Sequence, residues 1–110
     1  MPRKQELWAC PVAVTVNLIG NKWKLLILRN LFSRPYRFNE LRKSLNGISQ
    51  KVLTENLRKM AADGIIMRIE FDEKVFHTEY KLTDLGESMR PIIKALENWG
   101  SEYMSKSAAD

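Results

Sequence analysis

The residues best suited to chemistry lie in the segment Ser49-Gln50-Lys51-Val52-Leu53-Thr54-Glu55-Asn56-Leu57-Arg58-Lys59-Met60. On a helical wheel at ~100° per residue, Leu57 and Met60 fall within ~40° of Leu53, whereas Lys51, Thr54, Glu55, Arg58 and Lys59 lie ~90° or more away. The predicted helix therefore has one dry side and one side presenting amine, hydroxyl, carboxylate and guanidinium groups. These groups match the edges of base pairs. Arg or Lys pairs with guanine O6 and N7, Glu accepts from cytosine N4, and Thr meets a thymine methyl. Ser49 and Gln50 stand at the N-terminal end, the end that a DNA-reading helix pushes toward the bases. An ordinary amphipathic surface helix would show the same wheel, so the surroundings must decide.

The other chemical candidate is Cys10, directly before Pro11. It should sit at the start of a helix, where unpaired N–H groups favour an anion, and the thiolate is the form that reacts with oxidants and electrophiles. Arg3 and Lys4 could add positive potential there. A buried, inert cysteine is the alternative.

Cys10 is the one cysteine and His77 the one histidine, so an internal disulfide and a CxxC or HxxxH metal site are excluded. Glycine-rich phosphate loops and a GxSxG nucleophile are also absent from the sequence. No metal, cofactor or enzymatic activity is expected. An enzyme using Cys10 as nucleophile would have only the sequence-distant His77 as a base. His77 reads as a strand residue without a chemical task, and Trp8 and Trp23 as core or interface residues.

Charge placement supports a polyanionic partner. The net charge is +5, but residues 22 to 59 hold ten Lys or Arg against Glu40 and Glu55, a local +8. Residues 60 to 110 hold six Lys or Arg against ten Asp or Glu, a local −4. Such focusing is the footprint of a nucleic-acid binder, although a solvated basic face would give the same balance. The 110 residues suit one domain, with a core over about 10–104, an N-terminal arm at 1–7 and a frayed tail at 105–110. The longest purely apolar run, Leu25 to Leu28, is far short of the ~20 residues of a membrane span. The segment Met1 to Glu6 is followed by no apolar signal core, so a cytoplasmic location is expected.

The elements that must position these groups follow from periodicity and caps. Pro11 opens a first helix with Val12, Val16 and Ile19 on one face, and Gly20 is expected to supply a left-handed cap. Asn21 caps a second helix, Lys22 to about Phe32, built on Trp23, Leu26, Ile27 and Leu31. Arg34-Pro35 ends it. A third helix spans about Asn39 to Leu45, with Phe38, Leu41 and Leu45 as its apolar positions. Asn46-Gly47 marks a turn. Ser49 caps the fourth helix, about Gln50 to Ala62, and Gly64 ends it. Ile65, Met67, Ile69 and Phe71 then alternate with Ile66, Arg68 and Glu70, and Thr78, Tyr80 and Leu82 alternate again, giving a hairpin with Asp72-Glu73-Lys74 at its tip. Thr83 caps a last helix from about Asp84 to Met104.

Two short helices around a glycine turn, followed by a hairpin, specify a mostly helical α+β winged helix-turn-helix. In the last helix, Leu85, Met89, Ile92, Leu96, Trp99 and Tyr103 form a heptad seam. It predicts a homodimer, completed by the first helix around Trp8 to Leu18, whose recognition helices would read a pseudo-palindromic duplex operator at ~34 Å spacing. A winged-helix module that binds protein rather than DNA is the rival reading. No effector pocket is legible.

The segments Cys10-Pro11-Val12, Leu18-Ile19-Gly20-Asn21-Lys22-Trp23, Leu26-Ile27-Leu28-Arg29, Arg37-Phe38-Asn39-Glu40-Leu41, Gly47-Ile48-Ser49, Val52-Leu53, Leu57-Arg58, Asp63-Gly64-Ile65, Tyr80-Lys81-Leu82-Thr83 and Leu85-Gly86 closely resemble the HxlR family of bacterial winged-helix regulators. The resemblance runs from about Cys10 to Gly100. It implies a homodimeric transcriptional regulator in which the helix after Ser49 reads DNA. It also implies that Cys10 matches a cysteine that in some members senses oxidants or electrophiles. Arg37 joins Ser49, Gln50, Lys51, Thr54, Glu55 and Arg58 as an expected DNA contact. The wing tip departs from what phosphate binding favours, because Asp72 and Glu73 repel it. Lys74 and Arg68 remain as basic wing residues.

Overall fold

The computed structural model describes residues 10–72 and 74–109; the expectations for Arg3, Lys4, Trp8, Glu73 and the arm at 1–7 lie outside them. The element order is α1 (Pro11–Ile19), α2 (Lys22–Leu31), β1 (Tyr36–Arg37), α3 (Phe38–Ser44), α4 (Gln50–Ala62), β2 (Ile66–Phe71), β3 (His77–Leu82), α5 (Asp84–Glu87) and α6 (Arg90–Ala109). The caps are those the side chains allow. Asn21 Oδ1 accepts from Lys24 N–H at 2.9 Å and Ser49 Oγ from Val52 N–H at 3.1 Å, each answering an otherwise unpaired amide of the first turn.

Leu28, Leu41, Leu45, Leu53, Leu57, Met60 and Ile65 form one buried core under α2, α3 and α4. Asn30 ties α2 to α3 inside it, donating from Nδ2 to Ser44 Oγ at 2.7 Å. Lys24 is buried as well, at 4% exposure. Burial first, and then the charge of Lys59, push its amine below the ordinary lysine range.

Gly47 between α3 and α4 and Gly64 after α4 take φ of 91° and 79°, conformations that side-chain-bearing residues rarely adopt. At the second of these, Gly64 N–H reaches the Ala61 carbonyl and Ile65 N–H the Met60 carbonyl, both at 3.0 Å, the Schellman pairing that turns Ile65 into the core. Gly20 corrects an expectation. Its φ is −69°, not left-handed, and what it provides is space: a Cβ there would collide with the Val16 carbonyl oxygen.

The sheet has the order β1-β3-β2, antiparallel throughout. β1 is an addition to the sequence reading and pairs Tyr36 with Tyr80 and Arg37 with Glu79. In the hairpin, Ile66 pairs with Leu82 and Arg68 with Tyr80. Ile66 and Leu82 turn inward, while the row Met67, Ile69 and Phe71 occupies the opposite face, with Met67 40% exposed. At the hairpin's foot, the Ile65 carbonyl accepts from both Thr83 N–H at 3.0 Å and Thr83 Oγ1 at 2.9 Å.

The predicted last helix is two helices. Pro91 lacks an N–H and its ring would strike the carbonyl of residue 87, so the chain turns at Ser88-Met89 and α6 restarts with proline in its first turn. α6 then continues to Ala109, past the expected end at Met104 and through most of the expected tail.

Candidate nucleic-acid interface

α4 is held by one side and free on the other. Leu53, Leu57 and Met60 are buried. Ser49, Gln50, Lys51, Glu55 and Arg58 are exposed, and Thr54 is half-buried on the flank facing the hairpin. Arg37 is exposed at the start of α3, and Lys74 is exposed at the hairpin tip. The structure thus brings Gln50, Thr54 and Arg58 together, with Lys51 and Glu55 on the adjoining outer face, and leaves Lys74 apart on the wing.

Between α4 and the hairpin lies a cleft of about 550 Å³, with Gln50, Thr54 and Arg58 on its helical wall and Arg68, Thr78 and Tyr80 on its strand wall. Thr78 and Tyr80 were not among the expected site residues. The signal was present in their alternation on one strand, but the partner strand decides which wall that row lines. Arg68 is braced along the strand wall: its Nη2 donates to Thr78 Oγ1 at 3.4 Å and its Nη1 stands 3.3 Å from Glu70. Hydrogen bonding with the Tyr80 hydroxyl, followed by the charge of Glu70, raises its pKa above the ordinary guanidinium value. A phosphate oxygen is the natural further acceptor for the donors of Arg58, Arg68 and Thr78. His77 is engaged elsewhere, stacked on Phe71 at 4.9 Å with Nε2 3.0 Å from Glu79.

A second surface is apolar. α1 and α6 flank a groove of about 620 Å³ lined by Val12, Val16, Ile19, Leu25, Ile92 and Leu96. Leu96 at its edge is 50% exposed, and beyond it Trp99 and Tyr103 are 68% and 59% exposed, with their rings stacked at 5.4 Å. The expected seam is shorter than the heptad count. Met89, at 5% exposure, belongs to the protomer's own core, and Ile92 is packed against that core. Leu85 sits on α5, before the break. Cys10 is exposed at the N-terminal end of α1, its carbonyl accepting from Val14 N–H at 3.1 Å.

A helix-turn-helix whose second helix is followed by a two-stranded wing defines the winged helix-turn-helix class. The chain belongs to the HxlR-like helix-turn-helix family, which matches residues 18–108. It is 38% identical over 97 residues to the HTH-type transcriptional regulator YdeP of Bacillus subtilis, covering 88% of this chain and 76% of that protein. It is 41% identical over 98 residues to an HTH-type transcriptional regulator of Methanothermobacter thermautotrophicus, covering 89% and 75%. Among solved structures, the reduced form of the redox regulator HypR superposes with a TM-score of 0.83 at 33% identity, over 92% of this chain and all of that one. The oxidised form of HypR gives 0.80 at 36% identity, over 84% and 96%.

Proposed function

We propose that the chain is a transcriptional regulator that binds duplex DNA sequence-specifically as a homodimer. The observation that carries this reading is α4. Its apolar row is fully engaged, and its opposite side offers Lys51, Glu55 and Arg58 to solvent with no intramolecular ion pair among the described residues. Lys51, Glu55 and Arg58 read base edges in the major groove, with Ser49, Gln50 and Thr54 at the entering end. Arg37 and the cleft residue Arg68 take backbone phosphates, and Lys74 is the wing's outermost cation.

The homodimer forms through Leu96, Trp99 and Tyr103 with the exposed face of α1. Aromatic residues of this kind are enriched in buried interface centres. Cys10, at the base of α1 beside that interface, is the point at which an oxidant or electrophile alters the dimer. The similarity to HypR, described in its reduced and oxidised forms, supports that assignment.

The test is a gel shift on the duplex upstream of the chain's own gene, repeated across a salt series. The expected result is a retarded band whose affinity falls steeply as salt rises, because phosphate contacts release counterions. Absence of any shift on that duplex, and on random genomic fragments at low salt, would overturn the reading.

A further inference from the structure

Asn21 stands at the corner between α1 and α2, and both ends of its amide are engaged. Its Oδ1 accepts from Lys24 N–H at 2.9 Å, and its Nδ2 donates to Asn56 Oδ1 at 3.1 Å. Asn56 lies on α4, and its Nδ2 donates in turn to the Val52 carbonyl at 2.8 Å. Three hydrogen bonds therefore run without a gap from the first turn of α2 to the middle of α4. Their chemistry fixes both amides. Turning Asn21 over would set its NH₂ against the Lys24 N–H, and turning Asn56 over would set its oxygen against the Val52 carbonyl.

Leu53, Leu57 and Met60 fix which side of α4 is buried, but apolar burial is non-directional and tolerates small rotations about the helix axis. A hydrogen bond needs its donor and acceptor aligned, so it resists that rotation. The corner is closed by a backbone bond, with Asn21 N–H reaching the Ile19 carbonyl at 2.8 Å, and Gly20 leaves no room for a Cβ beside the Val16 carbonyl. Gly20, Asn21 and Lys22 also form one end of the apolar groove between α1 and α6. Asn21 thus borders that groove while its amide grips α4.

We infer that Asn21 and Asn56 are positioning residues for DNA recognition, linking the α1–α2 corner to α4 and setting the rotation at which Lys51, Glu55 and Arg58 are presented. The inference rests on α4 being the DNA-reading helix.

Three variants test it. Asn21→Ser keeps an oxygen cap for α2 but is too short to reach Asn56. Asn56→Ala removes the link while raising helix propensity. The third variant combines both. Affinity for the labelled upstream duplex is measured by anisotropy at fixed salt, well below the melting transition, and amide exchange across α4 is measured without DNA. Each single change is expected to weaken binding by about three- to tenfold, the scale of one net hydrogen bond. The double variant loses no more than the weaker single, and amides from Leu53 to Arg58 exchange faster in all three. A purely structural role would lower the melting temperature and leave the affinity of the folded protein unchanged, which overturns the inference. Additive losses in the double variant, or parental affinity with parental exchange, overturn it too. Failure of the unmodified chain to bind any duplex would instead overturn the reading of α4, and the exchange data would still judge the pair.

Discussion

Glu40 closes the first turn of α3 by accepting the Arg37 backbone N–H at 2.9 Å. That bond is the main reason its carboxyl is held below the ordinary carboxylate range, with Arg34 Nη1 at 3.2 Å adding to it. A carboxylate whose pKa is depressed on folding stabilises the fold above its unfolded pKa, and that contribution disappears as pH falls through the folded value. Thermal melts of the parent and Glu40→Gln should therefore differ modestly at neutral pH and converge in acid. A difference that persists unchanged into acid would separate Glu40's effect from its charge.

Replacing Lys51 or Arg58 with Ala should weaken operator binding by about 1–3 kcal/mol if either makes a bidentate base contact. Arg68→Ala should act differently, weakening all sequences alike and reducing the salt slope by about one. Footprints and salt titrations on the same duplex distinguish the two patterns. Parental footprints for both Lys51→Ala and Arg58→Ala at matched salt would mean that the reading face is misassigned.

Leu96→Glu combined with Trp99→Glu should give a folded monomer. Both side chains are half or more exposed within one protomer, so the charges harm association without touching the core. Sedimentation velocity with circular dichroism measures both properties. An intact dimer would remove α6 from the interface. Met89→Glu, in contrast, should unfold the chain, because it places a charge in a core position that is 5% exposed.

Cys10→Ser should bind operator DNA like the parent before treatment and resist diamide or a quinone afterwards. With Cys10 the one cysteine, the parent can form a sulfenic acid, a mixed disulfide or a bridge between subunits. Equal loss of binding in both proteins, or none in either, would leave Cys10 without a sensing role.

The parts legible in the sequence are those with a local physical signature. Asn21, Ser49 and Thr83 announced helix starts because each side chain bonds an amide three residues on. Gly47 and Gly64 announced stops, and the wheel on Leu53, Leu57 and Met60 separated the two sides of α4. What was missed depends on partners distant in sequence. The two residues of β1 carry no period of their own and are a strand only because Tyr80 and Glu79 lie beside them. The hairpin's alternation was visible, but Ile65 and Ile66 are adjacent and both buried, so the pattern did not say which row faces inward. The proline that splits the last helix was legible: a heptad count from Leu85 to Tyr103 runs straight across Pro91.

The Ile65 carbonyl, shared by the amide and hydroxyl of Thr83, locks the foot of the wing at a point independent of its tip. Residues 72 to 76 can therefore change in length and charge while the strands keep their register and the core stays shut. The acidic tip of this chain is thus separable from the domain beneath it, and exchanging that loop should change the wing's charge while leaving the melting temperature of the domain unaltered.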